Sequence, residues 1–170
     1  MTLKMIGAAF VIAACGGFGF SLAAAHKKEE NALKSLLRAI EFMICDLEFQ
    51  NTPLPELCRR AGNESGDIVG SLFLRLASTL DRKQQPDAPT CMRSLLQNDH
   101  QIPTRTHRNL LYLGQCMGRF ALSGQVSGFR SAQAMCQRDL ASLSTDRDAR
   151  LRSYRTLGIC GGIALVILFI

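Results

Sequence analysis

The sequence predicts an all-α protein, a membrane-anchored bundle of about six helices flanked by N- and C-terminal transmembrane helices. Apolar residues in the charged middle of the chain recur at steps of three and four, which is the period of an amphipathic helix. No segment alternates apolar and polar residues for long enough to predict a strand. Both ends of the chain are uncharged and apolar, and this distribution argues against a freely soluble, fibrous or disordered protein.

The first uncharged stretch covers 5–25 and is predicted to be a transmembrane helix, because roughly 20 helical residues span a hydrocarbon core of about 30 Å. The second predicted span covers 156–170. Its uncharged part, 157–170, reaches only about 21 Å as a helix. Two alternatives to a retained first span stay open, a signal peptide that is removed before His26 and a lipoprotein that is attached at Cys15.

Basic residues beside the two spans predict the orientation of the domain between them, 26–155. Basic residues that flank membrane helices stay in the cytoplasm. Here they lie on the inner side of both spans, at Lys27, Lys28, Arg147, Arg150, Arg152 and Arg155. The sequence therefore predicts a multi-pass protein of the cell membrane with a cytoplasmic central domain. These cations would lie near anionic lipid headgroups, and a solvated face that only sets the topology fits them equally well.

Gly158 and Gly162 form a G-x-x-x-G pair in the second span. Such a pair lets two membrane helices approach closely, so it is a candidate helix-packing surface. Glycine is common in membrane helices in any case, and both interpretations stay open.

The domain begins with a helix predicted from Lys27 to Phe49, which continues out of the first span. Its apolar face contains Leu33, Leu36, Leu37, Ile40, Met43, Ile44 and Leu47. Pro53 is predicted to stop this helix, because proline disfavours the α region in the residue before it. A short second helix is predicted with Thr52 as its N-cap and with its end at Gly62.

Four further helices complete the predicted bundle. They cover 66–82, 90–97 and 104–120, and a last helix starts near Ser123 or Gln125 and continues into the second span. Their predicted inward positions are Ile68, Leu72, Leu76, Leu80, Leu110, Leu113, Met117, Phe129, Ala132, Cys136, Leu140 and Leu143.

The sequence shows no pattern of an active site. It has no G-x-x-x-x-G-K-[ST] loop and no H-E-x-x-H pair. The seven cysteines occur singly inside apolar patterns, as at Cys45, which predicts reduced thiols that pack as small apolar side chains. We therefore predict no catalytic residue, no cofactor and no metal. A membrane enzyme or protease partner that depends on a polar residue such as His107 stays as an alternative.

Charged helix faces are the candidate contacts for a partner. Glu41 and Glu48 are seven residues apart and share a face, and Glu56 and Arg119 lie on other helices. Nine arginines lie between 101 and 156. Nucleic-acid binding is not predicted, because no aromatic platform or known binding motif accompanies this charge.

Four short segments occur in a fixed order between and within the two predicted spans: 3–8, 36–41 followed by 52–57, 113–118 with Gln125 downstream, and 154–168. Together they resemble the stage III sporulation protein AB family of endospore-forming bacteria. The sequence departs from the family pattern at Leu57, Met117 and Ala121, where the family commonly has alanine, leucine and an acidic residue.

The resemblance implies a non-enzymatic protein of the mother-cell membrane around the forespore, in the complex thought to form a channel between the two compartments. The family's cytoplasmic domain is similar to that of the F-type platform proteins of type II secretion and type IV pilus machines. By that analogy the implied partners are the stage III sporulation AA-type ATPase and other stage III channel proteins. Homo-oligomerisation stays open.

Overall fold

The computed structural model describes the backbone of residues 2–50, 52–82, 87–99, 101–117 and 124–145, and their side chains from residue 24 onward. These ranges contain six helices and no strand, which confirms the predicted all-α class. Where side chains are described, no helix has an apolar stretch long enough to cross a membrane. The spans over 5–25 and 156–170 stay predictions, and the second lies outside the described residues.

The first helix, α1 (Thr2–Phe49), is the longest element of the structure. Its 48 residues form one unbroken helix, which is about 72 Å long at 1.5 Å per residue. The part after Ala24 lies at the centre of the bundle, where its predicted apolar face is buried or partly buried. The bundle therefore packs around the second half of one continuous helix.

The second helix, α2 (Leu54–Ser65), differs from its prediction at both ends. Pro53 is the N-cap and makes no side-chain capping bond, so the prediction of Thr52 was wrong. The helix also continues past Gly62 and ends at Gly66, which adopts the left-handed conformation with φ 58°. Helix-ending glycines favour this conformation because they lack Cβ, and the sequence offers two glycines four residues apart.

Gly62 instead forms the crossing between α2 and α3 (Asp67–Asp81). A Cβ atom at Gly70 would lie 2.5 Å from the Gly62 carbonyl oxygen, and one at Gly62 would lie 2.9 Å from the Gly70 carbonyl oxygen. Real Cβ atoms do not approach a backbone oxygen this closely, so both positions require glycine. The two helices pack closely together, and both contact α1.

The remaining helices are α4 (Ala88–Gln97), α5 (Thr104–Cys116) and α6, which covers 124–145. Helix α4 starts two residues earlier than predicted, because the Asp87 side chain accepts a hydrogen bond from the Thr90 amide at 3.2 Å and caps it. Helix α5 ends earlier than predicted, because Met117 is extended (ψ 124°). Helix α6 is already helical at residue 124, and the residues just before it lie outside the described ranges, so its predicted start near Ser123 or Gln125 stays a prediction.

A contact with α1 caps the N-terminus of α5. Pro103 precedes the helix and supplies no side-chain acceptor. The Glu29 carboxylate of α1 accepts a hydrogen bond from the Arg105 backbone amide at 3.2 Å instead. A carboxylate at a helix N-terminus also interacts favourably with the helix dipole. This contact holds the start of α5 against α1.

The described cysteines are all free thiols, and four of the five are buried. The prediction of small apolar side chains is confirmed for Cys58, Cys91, Cys116 and Cys136, and it was wrong for Cys45, which is exposed on the outer face of α1. Burial raises the pKa of the Cys58 thiol to about 12. Burial, with a smaller contribution from the charge of Asp139, raises the pKa of Cys136 to about 12 as well.

Candidate interaction surface

Two of the predicted contact residues, Glu41 and Glu48, link α1 to α6. Arg130 donates from Nη2 to Glu48 Oε1 at 2.6 Å, and Gln133 donates from Nε2 to Glu41 Oε1 at 3.2 Å. All three charged side chains are exposed. Exposed ion pairs stabilise a fold by about 0–1 kcal/mol. The two glutamates therefore help to align α6, and they also remain accessible to a partner.

The third predicted contact residue, Glu56, lies in a charged network that we call the tip cluster. It is located where α1 ends and α2 begins, and it consists of Asp46, Gln50, Glu56, Arg59, Arg60 and Asp81. Glu56 accepts hydrogen bonds from Arg59 and from Arg60 Nε, the latter at 3.2 Å. These bonds, that from Arg60 first, hold the pKa of Glu56 below its ordinary value.

The tip cluster contains a buried carboxylate. The Asp46 side chain is 4% exposed, and its Oδ1 atom lies 3.4 Å from Arg60 Nη1. Its Oδ2 atom has no hydrogen-bond partner in the described part of the chain. Sequence reasoning missed Asp46 and Arg60. The signal was present, since Asp46 places a charge beside Met43 and Leu47 on the buried side of α1.

A second polar cluster connects α5 to α6. Arg108 Nη2 lies 3.0 Å from both carboxylate oxygens of Asp139, and Asn109 Nδ2 donates to Asp139 Oδ2 at 2.9 Å. Arg105 donates to the Ser142 hydroxyl at 2.5 Å. Asn109 is fully buried, so this cluster lies at the edge of the core and positions α6.

An open groove of about 740 Å³ separates α1 from the corner between α2 and α3. Lys34 and Arg38 lie on its α1 side, and Gly66 and Asp67 form its other wall. Lys34 pairs with Glu30 at 2.5 Å along α1. Among the residues that the structure describes, no group of three or more His, Cys, Asp or Glu side chains is placed to hold a metal ion.

The structure describes only two of the other predicted site residues. Lys27 and Lys28 are exposed on α1, just before its buried face begins at Ala32. The remaining ones lie outside the described residues: Arg119, Arg147, Arg150, Arg152, Arg155, Gly158 and Gly162.

The fold and these surfaces define a class of protein, a helical bundle built around one long N-terminal helix, with charged clusters at its outer end and along one side. A family profile described as Stage III sporulation protein AB (spore_III_AB) matches residues 4–170. The chain therefore belongs to the stage III sporulation protein AB family, and the resemblance noted in the sequence is confirmed.

Two relatives agree with this assignment. The stage III sporulation protein AB of Bacillus subtilis (strain 168) is 19% identical over 168 residues, which cover 98% of each chain. A solved structure titled Stage III sporulation protein AB (SpoIIIAB) superposes with a TM-score of 0.61 at 14% identity. It covers 72% of this chain and 98% of its own length, and at this identity it shows a shared fold.

Proposed function

We propose that this chain is a non-enzymatic platform protein in the membrane, part of the mother-cell to forespore channel complex that forms during endospore formation. Its helical domain docks a cytoplasmic secretion-type ATPase. Membership of the stage III sporulation protein AB family supports the role in sporulation. The platform role and the ATPase contact are the steps that we propose.

The continuity of α1 is the observation that carries this proposal. One unbroken helix runs from Thr2, through the apolar sequence of 5–25, to Phe49 at the far end of the bundle. Its later half is fixed in the domain by buried side chains, among them Leu33, Ile40 and Met43. Because a helix that is packed in this way moves with its domain, a force applied to the bundle is transmitted along α1 to its N-terminal half.

The geometry also separates a base from a tip. Phe49 follows Ala25 by 24 residues, and this corresponds to about 36 Å along the helix. If 5–25 lies in the bilayer, the base carries the exposed cations Lys27 and Lys28, while the tip extends into the cytoplasm. A soluble ATPase would then reach the tip and the sides of the bundle most easily.

Thiol labelling tests the orientation, because Cys45 is exposed whereas Cys58 and Cys136 are buried. We expect a membrane-impermeant maleimide to label Cys45 only after cells are permeabilised, as measured by peptide-resolved mass spectrometry. Cys58 and Cys136 serve as internal controls that stay unlabelled in both conditions. Burial also raises the pKa of both thiols to about 12, so they stay protonated and unreactive at pH 8.

Labelling of Cys45 in intact cells would place the domain outside the cytoplasm and contradict the platform role. The intact mass of the mature chain separates the exported alternatives, which predict an N-terminus at Cys15 or at His26.

Charge reversal tests the ATPase contact, and the structure indicates which variant is cleanest. Glu41→Lys removes one hydrogen bond to a neutral side chain, whereas Glu48→Lys would place a second cation beside Arg130. If the α1–α6 face binds the ATPase, we expect Glu41→Lys to reduce its co-purification with the full-length chain several-fold. The melting temperature should stay nearly constant, since exposed substitutions change stability by about 0.5 kcal/mol or less.

Glu64→Lys is the matched control, because Glu64 is an exposed glutamate on a different helix, α2. Equal loss of the ATPase in both variants would indicate a general charge effect and not a contact at this face. No loss in any reversal of Glu41, Glu48, Glu56 or Arg119 would remove the support for these residues as contacts.

A further inference from the structure

We propose that the tip of the bundle is a protein-docking site, in which Phe49 is the apolar anchor and Arg60 is a pre-oriented hydrogen-bond donor for a carbonyl oxygen of the partner. The occupant is a segment of a cytoplasmic protein that offers an apolar pocket beside a backbone or amide carbonyl group. This inference rests on the proposed function, because it assigns the surface through which the domain meets its cytoplasmic partner.

Phe49 is the first element of the site. It is the last residue of α1, and 80% of its surface is exposed. The other large apolar side chains exposed in the described ranges, Leu74 and Tyr112, are only 40% and 37% exposed. An exposed apolar side chain is common in itself. Its importance here comes from the neighbour with which it shares the tip.

Arg60 is that neighbour, and three acceptors bind two of the three nitrogen atoms of its guanidinium. Nε donates to Glu56 at 3.2 Å, and Nη1 lies 3.0 Å from Gln50 Oε1 and 3.4 Å from Asp46 Oδ1. The third nitrogen, Nη2, has no hydrogen-bond partner within the described residues, although the side chain is 43% exposed. The guanidinium is therefore fixed in position while two N–H groups remain unused.

Asp46 is the second, independent observation. Burying a carboxylate away from water has a desolvation cost in free energy, and an ion pair at long distance offsets only part of that cost. Replacement by an apolar residue of similar size would fit the neighbouring positions of α1, which carry Met43 and Leu47. The arrangement is explained if Asp46 is a positioning residue that fixes the orientation of Arg60 for binding.

The chain connects the two elements directly. Gln50 follows Phe49 in sequence and contacts Arg60 in space, so the aromatic ring and the guanidinium lie at the same end of the bundle. Aromatic and arginine side chains are the most frequent hot spots of protein interfaces. A hydrogen bond from a charged guanidinium is stronger than one between neutral groups, so the Nη2 group of Arg60 can bind a carbonyl oxygen of the partner. Because Arg60 is already held in place, its side chain loses little conformational entropy on binding, and this favours affinity.

The chemistry of the site favours a protein segment over the other occupants. A lipid surface is disfavoured, because the tip lies about 36 Å along α1 from the end of the predicted first span. A nucleic acid would need an excess of cations, whereas Arg59 and Arg60 are outnumbered here by Asp46, Glu56 and Asp81. A single acceptor beside an apolar pocket matches what the tip offers.

The test compares Phe49→Ala and Arg60→Lys with Tyr112→Ala, a control aromatic on α5, in the full-length chain. We expect Phe49→Ala to weaken binding of the purified ATPase about tenfold or more. Arg60→Lys keeps a positive charge beside Asp46, so the fold is retained, but it lacks the Nη2 group that is offered to the partner. We expect it to weaken binding several-fold. Tyr112→Ala should leave binding within twofold.

The outcomes separate the two proposals. If the unmodified chain binds the ATPase and both tip variants bind as well as it does, the docking site is wrong and the proposed function stands. If the unmodified chain does not bind the ATPase, that contact is wrong, and the tip is judged by heat-resistant spore counts of strains that carry each variant. A count lowered by Phe49→Ala and Arg60→Lys, but not by Tyr112→Ala, supports the tip, and unchanged counts overturn it.

Two further measurements exclude other occupants. A loss of self-association in Phe49→Ala, measured by analytical ultracentrifugation of the detergent-solubilised chain, would assign the tip to a second copy and overturn a partner of another kind. Weaker binding of Phe49→Ala to vesicles of phosphatidylglycerol and phosphatidylethanolamine would assign the tip to lipid, with the same consequence.

Discussion

Replacement of Gly70 by alanine is expected to lower the free energy of unfolding by about 2 kcal/mol. The added Cβ atom would lie 2.5 Å from the Gly62 carbonyl oxygen, a backbone atom that cannot rotate away. Relief requires the α2–α3 crossing to widen, and overpacking of this kind costs about 1–3 kcal/mol, with the largest values for rigid neighbours. The helical preference of alanine over glycine offsets about 1 kcal/mol of this cost.

The measurement is chemical denaturation of the purified chain, followed by circular dichroism. Ser71→Ala is the control, because Ser71 is the next residue of the same helix, is exposed, and bonds only to the Ile68 carbonyl oxygen. It should change stability by about 0.5 kcal/mol or less. A Gly70→Ala variant as stable as the unmodified chain would show that α2 and α3 do not cross at these glycines.

A double substitution tests the crossing more directly. Gly62→Ala also places a Cβ atom against the facing backbone, 2.9 Å from the Gly70 carbonyl oxygen. Once the helices have separated to accommodate one methyl group, the second methyl group clashes less with the facing backbone. We therefore expect the combined loss of stability to be smaller than the sum of the two single losses.

Replacement of Phe129 by alanine is expected to have the largest effect on stability, a loss of about 3–5 kcal/mol. Phe129 is fully buried and is the largest side chain that α6 inserts into the core. Its removal deletes a large apolar surface and leaves a cavity that the surrounding helices fill only in part. Since small domains have a total stability of about 5–15 kcal/mol, this loss is a large fraction of the whole.

Phe49→Ala is the matched control, because the same chemical change is made at a position that is 80% exposed. It should alter stability by about 0.5 kcal/mol or less. The two variants therefore separate the effect on folding from the effect on binding. Phe129→Ala should unfold at a lower denaturant concentration, whereas Phe49→Ala should stay folded and lose binding. Similar denaturation midpoints for both would contradict the burial of Phe129 in the core.

The platform proposal gains a specific form from these contacts. The residues that sequence reasoning selected on α1, Glu41 and Glu48, are also used to hold α6. The tip cluster uses its carboxylates, Glu56 among them, to orient Arg59 and Arg60. Glu41 and Glu48 therefore align α6 and also stay accessible, and Glu56 holds the two arginines beside it.

The helical class, the order of the helices, the family and most of the core could be predicted from the amino-acid sequence alone. Apolar positions such as Leu36, Ile40 and Leu113 could be predicted because the spacing of apolar residues along one helix shows which face is buried. The three-dimensional structure was needed to show that Gly62 is a crossing residue and not a helix end, that Glu29 caps α5, and that Asp46 and Gln50 orient Arg60. Each of these depends on the distance between helices that are remote in sequence, and no local pattern contains that distance.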